Sequence, residues 1–150
     1  MTKAAFAVSS CLIGKKCRYD GSHSLDLKLV KRLAESDHNY IDFCPEVIAD
    51  MPVPREPVEI IGGCGAAVLD GHSRIMSAAG IDYTDDLVFG AIEALYLCST
   101  AGVTSAYLKA RSPSCGCGAI HDGSFSGQMR VGNGVTAELL LRNGIDVIAV

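Results

Sequence analysis

The chain opens on a short apolar run, Ala4 to Ser10 (AAFAVSS), which ends in polar residues and reads as a strand buried on both faces. From Ser24 to Glu35 the period lengthens: Leu25, Leu29, Leu33 and the offset Val30 make one helical stripe, with Ser24 as its N-cap. Tyr40 to Phe43 is a second short strand, and it stops at Cys44 because Pro45 has no N–H to continue a ladder. Between Met51 and Gly80 the pattern breaks up. Pro52, Pro54 and Pro57 precede IGGCGAA and VLDGHSRIM, and Asp70-Gly71 between apolar runs signals a hairpin. Residues 50–80 are therefore expected to form a loop and small β-hairpin excursion outside the core sheet. Thr84 is expected to cap the strongest helix, with Asp85 and Asp86 at its positive end and Leu87, Val88, Ala91, Ile92, Leu95 and Cys98 in helical spacing up to Gly102. Val103 to Leu108 gives a third core strand. After a glycine-rich loop, Gly134 to Arg142 is a helix stopped by Asn143-Gly144, and Ile145 to Val150 a last apolar strand.

This alternation of strands and helices predicts an α/β fold, a three-layer Rossmann-like domain with a mostly parallel sheet and right-handed crossovers. No repeat or linker interrupts it, so residues 1–150 are expected to form a single domain. A chain of that size buries roughly 68–70% of the surface exposed when unfolded and needs no disulfides to fold. In such sheets ligands sit beyond the carboxyl ends of the strands, near the point where strand order reverses. Cys11 follows the first strand, Cys44 ends the second and Cys115 lies a few residues past the third, so all three are expected to meet at one sheet edge.

Composition narrows the chemistry. Seven cysteines are many for an intracellular chain yet too few for a small disulfide scaffold, and the odd number argues against complete pairing. The apolar run near the N-terminus is too short for a signal-peptide core and nothing approaches a membrane span, so the expected location is cytoplasmic, with reduced thiols and no membrane partner. A net charge of −4, without a basic run or tryptophan, speaks against double-stranded nucleic acid as a partner. The pattern leaves the oligomeric state open.

Three converging thiolates could bind zinc, hold an iron–sulfur cluster or include a nucleophile. Structural zinc sites prefer four ligands in paired short spacings, and there is no CxxC here. A four-iron cluster tolerates scattered ligands, and three cysteines leave one iron without a protein ligand, a Lewis acid suited to a soft atom such as sulfur. Glu46, two residues past Cys44, stands as a general acid or base or as a solvated carboxylate. Ser112 and Ser114 suit either a substrate contact or a turn, and Arg18, Arg55 and Arg111 either the anionic site or the surface. Cys98 on the apolar helix face and Cys64 in the excursion read as packing residues, while Cys17 and Cys117 adjoin the candidate ligands. Gly132 to Ala137 formally matches GxGxxA, but without the βαβ context of a dinucleotide site; its helix N-terminus could still meet a ligand's negative charge.

Several longer motifs occur in order: SSCLIG at 9–14 with CRYDG at 17–21, CPEV at 44–47, PREPVEI at 54–60, LKARSPSCG at 108–116, DGSFSG at 122–127 and GNGVTA at 132–137. Together they resemble the thiouracil desulfidase family of bacteria, nearly end to end. The resemblance implies a [4Fe-4S] cluster held by three cysteines, Cys11, Cys44 and Cys115, and a non-redox reaction in which water replaces the sulfur of a thiolated uracil and sulfide leaves by way of the open iron. It also implies that Glu46 moves protons and Ser112 orients water or substrate. The chain departs from the family pattern at Ile48-Ala49-Asp50-Met51, where glycines are usual, at His121, where tyrosine is common, and in the extra thiol of Cys117. The implied partner is a small thiolated base or nucleoside. The competing expectations are a desulfidase for another thiolated compound and a cluster-binding carrier or sensor without turnover.

Overall fold

The computed structural model describes residues 4–150. In chain order it has β1 (Phe6–Ser9), α1 (Leu27–Glu35), β2 (Tyr40–Phe43), α2 (Pro45–Ile48), β3 (Val58–Ile61), α3 (Gly65–Leu69), β4 (Arg74–Ser77), α4 (Thr84–Ala101), β5 (Ser105–Leu108), β6 (Ala119–His121), β7 (Met129–Val131), α5 (Val135–Arg142) and β8 (Asp146–Ala149). The main sheet has the order β2-β1-β5-β8 and every pairing in it is parallel, running from Phe6↔Tyr40 to Ser9↔Phe43 on one side of β1 and from Phe6↔Ser105 to Val8↔Tyr107 on the other. Alternation along the strands divides the core. Ala7, Ala106 and Leu108 face Ala94 and Cys98 of α4 and Ala137 and Leu140 of α5, whereas Val8 and Tyr107 face Leu29 and Leu33 of α1. The expected three layers follow, with helices on both faces of a parallel sheet.

The starts of α1 and α4 differ from the sequence expectation by one to three residues. Helix α1 starts at Leu27, and Asp26 rather than Ser24 is its N-cap, its carboxylate accepting the Leu29 N–H at 2.9 Å. In α4 the cap is Tyr83; Asp82 accepts the Thr84 N–H, and the Thr84 hydroxyl is turned to accept the Ile75 N–H from β4. The 50–80 excursion is an antiparallel pair, Val58↔Ser77 to Ile61↔Arg74, packed on α4 through Ile60, Ile75, Leu87 and Ala91. Its connection is helical: Asp70-Gly71 ends α3 instead of turning a two-residue hairpin. Helix α3 can start there because Gly65 lies against the backbone of Asn133 and Gly134, where a Cβ would come within 2.7 Å. A second antiparallel pair, β6 with β7, occupies the stretch that reads from sequence as a glycine-rich loop.

Gly90 governs how close α4 comes to the site. A Cβ there would meet the Pro45 carbonyl oxygen at 2.2 Å, so the short α2 rests directly on the α4 backbone. Gly90→Ala is expected to destabilise the protein by about 1–3 kcal/mol in urea unfolding, through overpacking that pushes α2 outward. An unchanged urea midpoint would show that α2 is free to move.

Candidate active site

Strand order reverses between β1 and β5, with β2 on one side and β8 on the other. The chain leaves β1 into a 3-10 turn, Ser10–Ile13, that carries Cys11. It leaves β2 at Cys44, the N-cap residue of α2, with Pro45 at the first helical position, where its missing N–H costs nothing. Beyond β5 come Lys109, Arg111 and the cysteine turn. The Ser9 hydroxyl accepts the Lys109 N–H at 2.9 Å and ties the ends of β1 and β5 together.

The turn at Arg111 to Gly116 is held from inside and outside. Arg111 has the left-handed φ of 74°, and the Ser112 hydroxyl oxygen accepts the N–H groups of Ser114 and Cys115, both at 3.0 Å. Its two lone pairs are thereby engaged, and the O–H is left to donate. From outside, the N–H groups of Val135, Thr136 and Ala137 donate to the carbonyls of Pro113 and Ser114, and the Ser114 and Thr136 hydroxyls bond at 2.8 Å. The N-terminus of α5 is thus spent on the cysteine turn, leaving it no role as the ligand site that GxGxxA suggested. Gly116 serves the turn too, since a Cβ there would lie 2.6 Å from the Ser112 carbonyl oxygen. Ser112→Ala, which orphans two N–H groups, is expected to lower stability by about 1–3 kcal/mol. An unchanged Tm of the purified variant would count against the turn as the source of that order.

Glu46 projects from the first turn of α2 and is clamped by Arg55. The guanidinium Nε donates to Glu46 Oε2 at 2.7 Å, and its NH2 group reaches the same oxygen. NH2 also donates to the Cys17 carbonyl at 2.8 Å, and NH1 to that of Pro52 at 3.2 Å. The Arg55 side chain is 5% exposed and that of Glu46 15%, so the pair is well shielded from water. Arg55 is therefore a buried partner of the candidate acid–base residue, one of the two alternatives open from sequence.

All of this lines one cavity of about 570 Å³. Cys11, Cys44 and Cys115 all line it, as do Glu46, Ser112 and Cys17. The thiols sense one another: a hydrogen bond with Cys17 holds Cys11 below the usual thiol range, against burial and the charges of Cys115 and Cys44, which act to raise it. Cys44 is pushed well up, first by its hydrogen bond with Cys17 and then by burial, and burial pushes Cys115 up to about 12. Arg18, Lys109 and Arg111 add positive charge to the wall, and burial followed by the two arginines pulls the Lys109 ammonium below its ordinary value. Among the described residues no group of three His, Cys, Asp or Glu side chains is set to hold a single metal ion, while the thiols that line the cavity are soft donors of the kind iron–sulfur clusters take.

The other cysteines separate cleanly. Cys117 turns toward the Val147 carbonyl at 3.9 Å and packs on the sheet core. Cys98 is fully buried, its thiol raised by burial to about 12, and Cys64 packs beside Leu69 and Val68. Sequence reasoning gave no role in the site to Glu59, His121 or Phe125, which also line the cavity. Only the alternation of β3 could have pointed to Glu59, a carboxylate in an otherwise apolar strand.

The geometry defines a class: an α/β protein with a thiol-lined cavity and a clamped carboxylate at the switch point of its sheet. A family model described as 2-thiouracil desulfurase matches residues 6–150, and the chain belongs to that family. It is 44% identical over 142 residues to the uncharacterized protein YbbK of Bacillus subtilis (strain 168), covering 95% of this chain and 93% of that one. A solved structure of TudS, a [4Fe-4S]-dependent thiouracil desulfidase, superposes with a TM-score of 0.83 at 36% identity, covering 98% of this chain and 91% of that one. Among the described residues no helix is long and apolar enough to cross a membrane.

Proposed function

We propose that this chain is a [4Fe-4S]-dependent desulfidase that exchanges the thiocarbonyl sulfur of a small thiolated base such as thiouracil for oxygen, releasing sulfide. The observation that carries this reading is the meeting of Cys11, Cys44 and Cys115, from three separate strand ends, in one cavity with the Arg55-clamped Glu46. The three cysteines hold the cluster, which when bound supplies a Lewis-acidic iron without a protein ligand for the substrate sulfur. The exchange is non-redox: water contributes its oxygen to the carbon, and sulfur departs as hydrosulfide with a proton. Glu46 takes the proton from the attacking water through the oxygen that Arg55 leaves free, since both guanidinium contacts fall on Oε2. Ser112 donates its remaining O–H to the substrate or to that water, its position fixed by the two N–H groups it accepts. Lys109, Arg18 and Arg111 offset the negative charge that three thiolates bring into the cavity.

The test is anaerobic reconstitution with iron and sulfide, then incubation with 2-thiouracil or 4-thiouracil while uracil and sulfide are assayed. One uracil and one sulfide per substrate consumed, with no external reductant, is the expected result. A stably bound cluster that releases sulfide from neither compound would sink the thiouracil reading.

A further inference from the structure

The wall of the cavity shared by β3 and the loop after β6 has no part in holding the cluster or moving protons, yet it is built at a cost. Among the described residues three that are not glycine have positive φ, namely Asp50, Arg111 and Phe125. Phe125, at 55°, is the one with no polar side chain to compensate locally, and a bulky residue in that region is a strained one. The strain is held in place by Glu59. This carboxylate is 8% exposed, and its Oε1 accepts the N–H groups of Gly123 at 2.9 Å and Phe125 at 3.2 Å. Gly123, at φ 92°, presses so close to β3 that a Cβ would meet the Ile60 carbonyl oxygen at 2.5 Å. The loop is thus pinned to the strand in a conformation that sets the half-buried Phe125 ring in the cavity wall. His121, at the end of β6, lines the same cavity. Its Nδ1 is shut off from solvent and without a hydrogen-bond partner among the described residues, an unmet polar atom on a residue of the cavity lining.

We propose that this wall recognises the ring of the substrate: Phe125 supplies the face against which a flat heteroaromatic base lies, and the His121 imidazole hydrogen-bonds to the polar edge of that base. The proposal rests on the desulfidase reading and names the part of the substrate that is read away from the sulfur. An aromatic face tolerates any planar base, whereas a ring nitrogen at the edge selects for a carbonyl or N–H at the facing position. Saturated or open-chain thioamides offer no such face and are expected to be poor substrates.

The experiment uses the cluster-loaded protein and compares Phe125→Asn, which suits the left-handed backbone but removes the ring, with Phe125→Tyr, and His121→Leu with His121→Gln. KM and kcat for 4-thiouracil are measured together with the Kd of the product, uracil, by equilibrium dialysis, and iron content and Tm are checked for each variant. The expected result is a rise of about tenfold in both KM and the uracil Kd for F125N and H121L, with kcat changed less than threefold and iron content unchanged. F125Y and H121Q, which restore ring and polar edge, are expected to recover at least half of that loss on a logarithmic scale. Unchanged KM and uracil Kd in F125N and H121L would overturn the proposal, as would a fall in iron content or kcat at constant Kd. Should the wild type bind uracil but turn over no thiouracil, the desulfidase reading fails, and the uracil Kd values still decide the wall.

Discussion

Serine in place of Cys11, Cys44 or Cys115, one at a time, is expected to abolish sulfide release from thiouracil and to lower the iron retained after anaerobic reconstitution severalfold. The reason is the softness of the ligand set: a serine hydroxyl neither ionises near neutral pH nor matches iron's preference for thiolate. Each of the three follows a different strand of the sheet, and neither Cys117 nor Cys98 is placed to stand in for one of them. Cys117 points to the Val147 carbonyl, and Cys98, on α4, is fully buried in the core. Cys17 is the instructive contrast, since it shares the cavity and bonds with both Cys11 and Cys44. Cys17→Ser is expected to keep most of the iron, because the Cys17 backbone carbonyl, which accepts from Arg55, survives the change. Iron and sulfide assays on all four variants check this. Full iron retention in any one of the first three, or complete loss in the fourth, would redraw the ligand set. Binding should also release protons, because Cys44 and Cys115 are held well above the usual thiol range and must ionise to ligate.

The second large effect concerns the carboxylate. Glu46→Gln keeps the shape and loses the base, and kcat for thiouracil is expected to fall by about 10²–10⁴ with the cluster spectrum preserved. Arg55→Met should reach a comparable loss by another route. It leaves Glu46 without the two guanidinium contacts that orient it and frees the carbonyls of Cys17 and Pro52. Breaking a well-shielded pair from one side costs about 3–5 kcal/mol, so R55M is expected to lose stability as well as rate, whereas E46Q retains hydrogen-bond capacity and loses chiefly rate. Single-turnover kinetics alongside urea unfolding separates the two. A carrier or sensor would show neither loss of turnover, and an E46Q variant with full activity would remove Glu46 from the chemistry.

Much of the scaffold is legible without coordinates because its signals are local. Pro45 ends β2 at Phe43 and places Cys44 at the strand end to the residue. The Asn143-Gly144 stop of α5 and the Gly102 cap of α4 behave likewise, for helix termination depends on a few consecutive residues. Where the reading went astray, a distant segment competed. Asp70-Gly71 carries a hairpin signal, yet α3 forms before it because Gly65 can lie on the backbone of Asn133 and Gly134, about seventy residues on. The β6–β7 pair is hidden for another reason, its three-residue strands being too short to show a period.

The sequence by itself determined the α/β alternation, the positions of three thiols at strand ends and the acid beside one of them, since each follows from periodicity and the residues flanking a strand. Tertiary structure alone decided that Cys17 enters the cavity while Cys117 leaves it, that Arg55 is buried against Glu46, that the α5 N-terminus caps the cysteine turn, and that Glu59 pins Phe125 from 66 residues away. These are pairings between segments brought together only by packing, where burial makes an unpartnered charge or N–H costly, and no local pattern in the chain encodes which distant partner will satisfy it.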